Sequence, residues 1–253
     1  AGARVGLAEM LTNMMAAGGI DLSRIRCRVN CMAAIDVPGQ RAMLIDAYLA
    51  IRDALIAFWV ACDGGKDSLS TKVKVNGELV VSPIELIIFG YARMPDITKI
   101  ITPDIKLPGK SRLGLIEVGP NEIGGSALLQ ALNQLGNKVP DCVPAWLKAV
   151  WKAKQRLHEI NKLLAFHDIS AGGRTATIAE MCMASFCGLD LDSPPDILTY
   201  FGEGPGVVIE YLPEDESEIQ RTLQEEKAPQ MIRLGKTTNH KDPHVFDVPL
   251  TTL

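Results

Sequence analysis

The sequence predicts an α/β or α+β protein made of two units that meet near residues 95–111. Three observations carry this. Stretches of period-two hydrophobicity take turns with stretches at helical spacing in both halves of the chain. The segment "PDITKIITPDIKLPGK" is rich in Pro and Lys and poor in core pattern. The chain of 253 residues, 47% hydrophobic and 22% charged, is long enough for two ordinary domains and ordinary for a core-forming protein.

The elements follow in order. Residues 4–17 place Val5, Leu7, Met10, Leu11 and Met14 mostly at helical spacing, and Gly18 and Gly19 end that helix. The helix lacks a start signal of its own, so the chain reads as beginning inside a domain. Residues 24–32 alternate Arg24, Arg26 and Arg28 with Ile25, Cys27 and Val29, which predicts a half-buried strand with a basic face. A long amphipathic helix is expected over 38–59, with Pro38 near its start. "ACDGGKDSLS" (61–70) reads as a glycine-centred turn, and 71–82 as a hairpin turning at Asn76-Gly77. A further strand is expected over 84–94.

Beyond the boundary, 111–119 reads as a strand and 121–136 as a glycine turn feeding a helix at 126–135. Long helices are expected over 144–164 and 172–187. "GVVIEYL" reads as a strand, 214–227 as a surface helix, and "QMIRLGK" and "HVFDVPL" as strands. The second unit is expected to be a mixed sheet covered by these helices.

Composition excludes some function classes. A net charge of −4 argues against nucleic-acid partners and anionic membrane surfaces, and 5% aromatic residues leave little for base stacking. No apolar run reaches the roughly 18 residues that span a bilayer, and no signal peptide is legible. The six cysteines, Cys27, Cys31, Cys62, Cys142, Cys182 and Cys187, show neither C-x-x-C nor zinc-finger spacing. They read as small buried hydrophobes in a reducing compartment.

Three stretches can carry chemistry. Glu9 and Asn13 are four apart on the first helix, so they share a face. A carboxylate and an amide oxygen suit Mg²⁺, which takes one or two protein oxygens beside water and phosphate; a solvated helix face is the plainer alternative. Because the surrounding residues are apolar, the pair is expected to be partly buried. Gly64, Gly65, Lys66 and Ser68 read as an anion cradle of backbone N–H groups beside a point charge, or as a solvated turn; the pattern is not a P-loop. In "LLAFHDISAGGRTATIAEM" (163–181), a buried run ends in His167, Asp168, Ile169 and Ser170 before two glycines and a helix. Capping by Asp or Ser is one reading, and a metal or phosphate site at a helix start is the other. In an extended segment Asp168 and Ser170 point to one side and His167 to the other, so His167 reads as a core histidine or one supporting its neighbour. No Ser–His–Asp or Cys–His triad is legible, and Cys182 reads as structural.

Taken together, "GLAEMLTNM", "VNCMAA…PGQ", "CDGGKDSLS", "TPDI", "GGSALLQALNQLG" and "HDISAGGRTATIAEM" resemble, in this order, the phosphoribosylformylglycinamidine synthase family of the aminoimidazole ribonucleotide synthetase superfamily. The resemblance covers most of residues 5–192, is to the second synthetase half, and "DGGKDSLS" is closest to the eukaryotic form. It implies an incomplete half-barrel N-terminal domain over 1–100 and a synthetase C-terminal-like α/β domain over 108–253. It further implies an ATP-dependent, cytoplasmic ligase of purine biosynthesis that converts formylglycinamide ribonucleotide to the amidine with glutamine-derived ammonia. Glu9, Asn13 and Asp168 fall on the family's magnesium positions and Ser170 on a nucleotide contact, so the resemblance implies an auxiliary, structural magnesium–nucleotide site in this half, with Mg²⁺ and ATP or ADP as cofactors. Expected partners are the first synthetase half and the glutaminase domain, with a homodimer through the half-barrel as a further possibility; neither nucleic acid nor membrane is expected. Ala171 stands where the family usually has Asp, and Thr71 where it often has Met. The upstream nucleotide contacts and the glutaminase nucleophile are not in the sequence, so the chain alone is expected to be inactive. A non-catalytic nucleotide-binding or scaffold module with the same fold is the alternative.

Overall fold

The computed structural model describes residues 1–194, 196–239 and 243–249. Helix α1 (Gly2–Met14) leads to strand β1 (Arg26–Met32), helix α2 (Gln40–Phe58), strand β2 (Ala61–Ser68), a hairpin of β3 (Lys72–Val75) and β4 (Glu78–Val81), and strand β5 (Glu85–Tyr91). These form a three-stranded sheet in the order β2-β1-β5, with β2 parallel and β5 antiparallel to β1. The alternation in β1 holds: Cys27, Val29 and Cys31 are buried while Arg28 faces solvent. Asn76 (φ 51°) and Gly77 (φ 89°) make the expected hairpin turn.

The segment expected to be a glycine-centred turn is instead the edge strand β2, with Cys27 opposite Cys62 and Val29 opposite Gly65. Its composition has low strand propensity, so pairing with β1 decides. A Cβ on Gly65 would lie 2.5 Å from the Val29 carbonyl oxygen, which makes glycine the condition for that close pairing. Cys62 is exposed, unlike the other five cysteines, which are buried free thiols.

The second part contains β6 (Arg112–Glu117), α3 (Ala127–Ala131), α4 (Pro144–Glu159), β7 (Ala165–Asp168), α5 (Gly173–Ser185), β8 (Gly188–Leu191), α6 (Ile197–Phe201), β9 (Gly206–Tyr211), α7 (Glu216–Glu225), β10 (Ile232–Thr238), and a small hairpin of β11 (His244–Val245) and β12 (Val248–Pro249). Its five-stranded sheet has the order β7-β9-β6-β10-β8, and every neighbouring pair is antiparallel. The expected mixed sheet is thus corrected: helical connections carry the chain between strands that are not sheet neighbours, and each neighbour arrives in the opposite direction. "HVFDVPL" turns back on itself at Phe246 and Asp247, both with positive φ, rather than forming one strand; Leu250 lies outside the described residues. The helices expected over 126–135 and 144–164 stop at Ala131 and Glu159, and left-handed Asn133 and Asn161 follow the two stops. β8 and α6, four and five residues long, lack enough periodicity to be read from sequence. Among the described residues, no helix is long and apolar enough to cross a membrane.

Two hydrophobic clusters lie on opposite faces of the five-stranded sheet. Ile178 and Met181 of α5 pack with Leu113, Leu115 and Val208 on one face. On the other, Ile209 and Tyr211 of β9 and Leu147 and Val150 of α4 share a continuous cluster with Leu7, Leu11 and Met15 at α1, with β1 and with α2. Helix α1 therefore packs against α2 and β5 on one side and touches β7 and β9 on the other. Each fully buried Leu contributes on the order of 1.5–3 kcal/mol of transfer free energy to that arrangement.

Helix α4 clasps the C-terminal end of α1. Lys154 Nζ donates to the Ala17 carbonyl (3.1 Å), Trp151 Nε1 to that of Ile20 (2.9 Å), and Gly19 N donates to Gln155 Oε1 (2.9 Å). These bonds satisfy two carbonyls and one N–H of the segment that follows the helix. Lys154 is buried, and its Nζ lies 3.1 Å from His158 Nδ1. Burial lowers the Lys154 pKa from 10.5 to about 7. Burial, helped by the charges of Lys154 and Lys99, lowers that of His158 from 6.5 to about 4.

Between about pH 7 and 10.5 the unfolded chain thus holds a proton at Lys154 that the folded chain has released. This group therefore makes stability rise with pH across that window, with a limiting slope of about 1.4 kcal/mol per pH unit. Chemical denaturation between pH 7 and 9 should show wild-type stability gaining on that of Lys154→Met. Parallel pH profiles for the two proteins would contradict this account.

Candidate functional site

The site begins on α1. Burial of Leu7, Ala8 and Leu11 against the sheets turns Glu9 and Asn13, one turn apart, to the open side of the helix. Both are exposed as residues, which corrects the expected partial burial: the apolar face is turned inward and the polar pair lines the rim. The Glu9 carboxyl is still set low enough among its neighbours that lost hydration raises its pKa, followed by the negative charges of Asp168 and Glu203.

Asp168 ends β7 and is buried. Pairing of Asp168 with Val207 fixes its height in the sheet. Asn13 reaches it across 155 residues of sequence, donating from Nδ2 to Oδ1 at 3.4 Å. His167, half-buried, has Nδ1 2.8 Å from the Asp168 carbonyl oxygen and 3.4 Å from its Oδ1, and Nε2 3.1 Å from Glu180 Oε2. The hydrogen bond to Asp168 raises its pKa, against the lowering effect of burial. The ring thus doubles back to brace the carboxylate, as expected of a histidine that supports its neighbour.

The turn after Asp168 settles the capping question. Gly172 (φ 88°) is the N-cap of α5, Gly173 follows with φ 66°, and no side chain of Asp168 or Ser170 caps the helix. Instead the Gly172 N–H donates to Glu203 Oε1 at 2.8 Å. Thr177 Oγ1 ties α5 back to the Asp168 carbonyl (3.1 Å). The Ser170 hydroxyl has no hydrogen-bond partner among the described residues. Glu9, Asn13 and Asp168 are therefore brought together, with Ser170 two residues further along the same turn.

Gly64, Gly65, Lys66 and Ser68 lie on β2. Neither glycine has a positive φ, so the expected cradle of converging N–H groups does not form. What remains is a side-chain pair, with Lys66 Nζ 2.8 Å from Ser68 Oγ and 2.9 Å from the Asp67 carbonyl oxygen. A groove of about 590 Å³ between α2 and β2, lined by Val29, Ile51, Leu55, Trp59 and Cys62, contains none of these donors. It is an apolar sheet edge and does not line the polar site.

Sequence reasoning missed Glu203, whose only local signal is the "GEGPG" loop, and Arg174, which is buried beside Glu117. Among the described residues, no group of three or more His, Cys, Asp and Glu side chains is placed to hold a metal. The donor set here is smaller: two carboxylates and an amide. That suits Mg²⁺, which keeps several waters and takes few protein oxygens. Two converging carboxylates also fit a cation between them.

The chain as a whole resembles known proteins. The family model for the AIR synthase related protein, C-terminal domain, matches residues 114–248, and that for the FGAR-AT PurM_N-like domain matches residues 1–93. Phosphoribosylformylglycinamidine synthase of Homo sapiens is 38% identical over 252 residues, covering 96% of this chain and 19% of the human protein. A probable phosphoribosylformylglycinamidine synthase, chloroplastic/mitochondrial, of Arabidopsis thaliana is 40% identical over 217 residues, covering 82% and 15%. The chain thus spans less than a fifth of the length of these relatives. In fold it resembles T. maritima PurL complexed with FGAR (TM-score 0.70, 14% identity, 99% of this chain and 42% of that one). It also resembles E. coli HypE, a hydrogenase maturation protein (TM-score 0.68, 16% identity, 98% and 77%).

The turn itself is testable. A Cβ on Gly173 would lie 2.6 Å from the Gly202 carbonyl oxygen, in a backbone conformation that disfavours any side chain. Gly173→Ala should cost about 1–3 kcal/mol in urea denaturation. An unchanged midpoint would show that the turn relaxes freely.

Proposed function

The chain belongs to the AIR synthase-related family, and from that premise we propose that it is the second synthetase half of an ATP-dependent ligase of purine biosynthesis. The reaction of the whole enzyme converts formylglycinamide ribonucleotide to its amidine with ammonia from glutamine. This half contributes a magnesium–nucleotide site. Residues 1–100 act as a half-barrel domain and 108–253 as the synthetase C-terminal-like domain. The first synthetase half and the glutaminase are the partners, in the cytoplasm, and the exposed face of the three-stranded sheet, with Arg28, Ile87 and Phe89, is the surface offered for half-barrel pairing or for a homodimer.

The observation that carries the site is the convergence of Asn13 and Asp168, with Glu9 one turn away and within charge reach. Glu9 and Asp168 would hold Mg²⁺, with Asn13 turning its amide oxygen toward it in place of the N–H it now offers Asp168. The cation would neutralise phosphate charge on ADP or ATP. Ser170, with its unpaired hydroxyl, contacts the nucleotide, and the glycines after it permit close approach. His167 keeps the Asp168 carboxylate in place. Lys66 and Ser68 offer a cation and a hydroxyl to a substrate phosphate.

Asp168→Asn should weaken Mg²⁺-dependent ADP binding about tenfold or more, and should remove the ADP-induced rise in melting temperature by linkage. A thermal-shift series with ADP, with and without Mg²⁺, reads this; an unchanged shift in the variant would eliminate Asp168 as a ligand. The isolated chain should show no glutamine- and ATP-dependent turnover. Lys66→Ala in the whole synthase should reduce turnover, and normal turnover would remove Lys66 from the site.

A further inference from the structure

We propose that Glu203 is a positioning residue that fixes the Asp168–Ser170 turn in its nucleotide-competent shape; the inference rests on reading that turn as part of a nucleotide site. One carboxylate oxygen, Oε1, accepts two backbone N–H groups, from Gly172 and from Ala127, each at 2.8 Å. These partners are 31 and 76 residues away in sequence. A single atom thus ties the turn after Asp168 to the first residue of α3.

The anchor is stiffer than what it holds. Around Glu203, Gly204 N donates to Asn121 Oδ1 (3.2 Å), Asn121 Nδ2 to the Leu198 carbonyl (2.7 Å), and Glu203 N to the Glu122 carbonyl (3.3 Å). Any Cβ on Gly202 or Gly204 would overlap Asn121, at 2.3 and 2.6 Å, so the loop is packed tight against the 121–126 turn. The turn being held has two consecutive glycines of positive φ, Ala171 before them, and one internal bond, Gly173 N to the Ser170 carbonyl at 3.0 Å. Without Glu203, the Gly172 N–H at the start of α5 loses its acceptor, and the turn keeps lateral ties only at its two ends, from Ile169 N to the Gly206 carbonyl (3.0 Å) and from Thr177 Oγ1 to the Asp168 carbonyl (3.1 Å). Outer groups of this kind typically change metal affinity by about 10–100-fold when removed.

Both bonds use one oxygen, so an amide can replace the carboxylate. Glu203→Gln keeps the acceptor and removes the charge, whereas Glu203→Ala removes both. Ala127→Pro deletes the other N–H. It is compatible with the backbone, because Ala127 is the first residue of α3 and Ser126, at φ −64° and ψ 159°, already has the conformation that precedes proline.

The experiment measures Mg²⁺-dependent ADP binding by calorimetry, and hydrogen exchange over residues 169–176 without nucleotide, in the wild-type protein and the three variants. The expected results are binding within about twofold of wild type for Glu203→Gln, about tenfold weaker or more for Glu203→Ala, and intermediate for Ala127→Pro. Exchange over 169–176 should be faster in Glu203→Ala and Ala127→Pro only. Glu203→Gln as weak as Glu203→Ala would overturn the inference in favour of a role for charge. Tighter ADP binding in Glu203→Ala would overturn it by showing that the carboxylate competes with phosphate for the same N–H groups. If Glu203→Ala fails to fold, wild-type binding by Ala127→Pro overturns it instead. Wild-type protein that binds no ADP overturns the nucleotide reading itself, and the exchange rates then still decide whether Glu203 holds the turn.

Discussion

The burial of helix α1 between the two sheets is the constraint on which the rest of this structure depends. Leu7, Leu11 and Met15 are fully removed from solvent in a cluster that runs from β1 and α2 on one side to β9 and α4 on the other. Because one face of the helix is used up in this way, its polar pair has only one direction to point. That direction is the end of β7, where Asp168 is fixed by pairing with β9. A rotation of α1 by a fraction of a turn would expose leucines, so the hydrophobic term holds Glu9 and Asn13 in place more firmly than their own weak contacts do.

Polar interactions then lock the helix along its axis. Arg4 grips Asp141 with Nε–Oδ1 at 2.9 Å and Nη2–Oδ2 at 2.5 Å near one end. At the other end α4 supplies Lys154, Trp151 and Gln155 to the backbone that follows the helix. Bidentate Arg–carboxylate bonds are directional, and side chains that satisfy free carbonyls cannot slide without leaving them unpaired. Lys154 gives up part of its charged character for this position, which is the cost of burying its ammonium against the segment that follows α1.

The site is therefore assembled from segments that are individually unremarkable in energy. Asn13 and Asp168 meet at 3.4 Å, a long bond of modest strength. Lost hydration, and then the like charges of Asp168 and Glu203, raise the Glu9 pKa. The fold, through α1, β7 and the loop at 202–204, brings together groups that would not gather on their own.

The sequence by itself determined what is local. Spacing of four placed Glu9 and Asn13 on one helical face, alternation identified β1, Asn76-Gly77 marked a hairpin, and the order of short motifs identified the family. These signals are local because helix and strand periodicity and turn chemistry act over a few residues. Only the tertiary structure decided what depends on distant partners. It made an edge strand of "ACDGGKDS" against its own propensity, because β1 supplies the hydrogen bonds and Gly65 allows the approach. It made the larger sheet antiparallel, since strand direction is set by how connections cross and not by any residue pattern. It gave the Gly172 N–H at the start of α5 to Glu203, 31 residues away, and not to the nearby Asp168 or Ser170, because the folded chain brings the 202–204 loop against this turn.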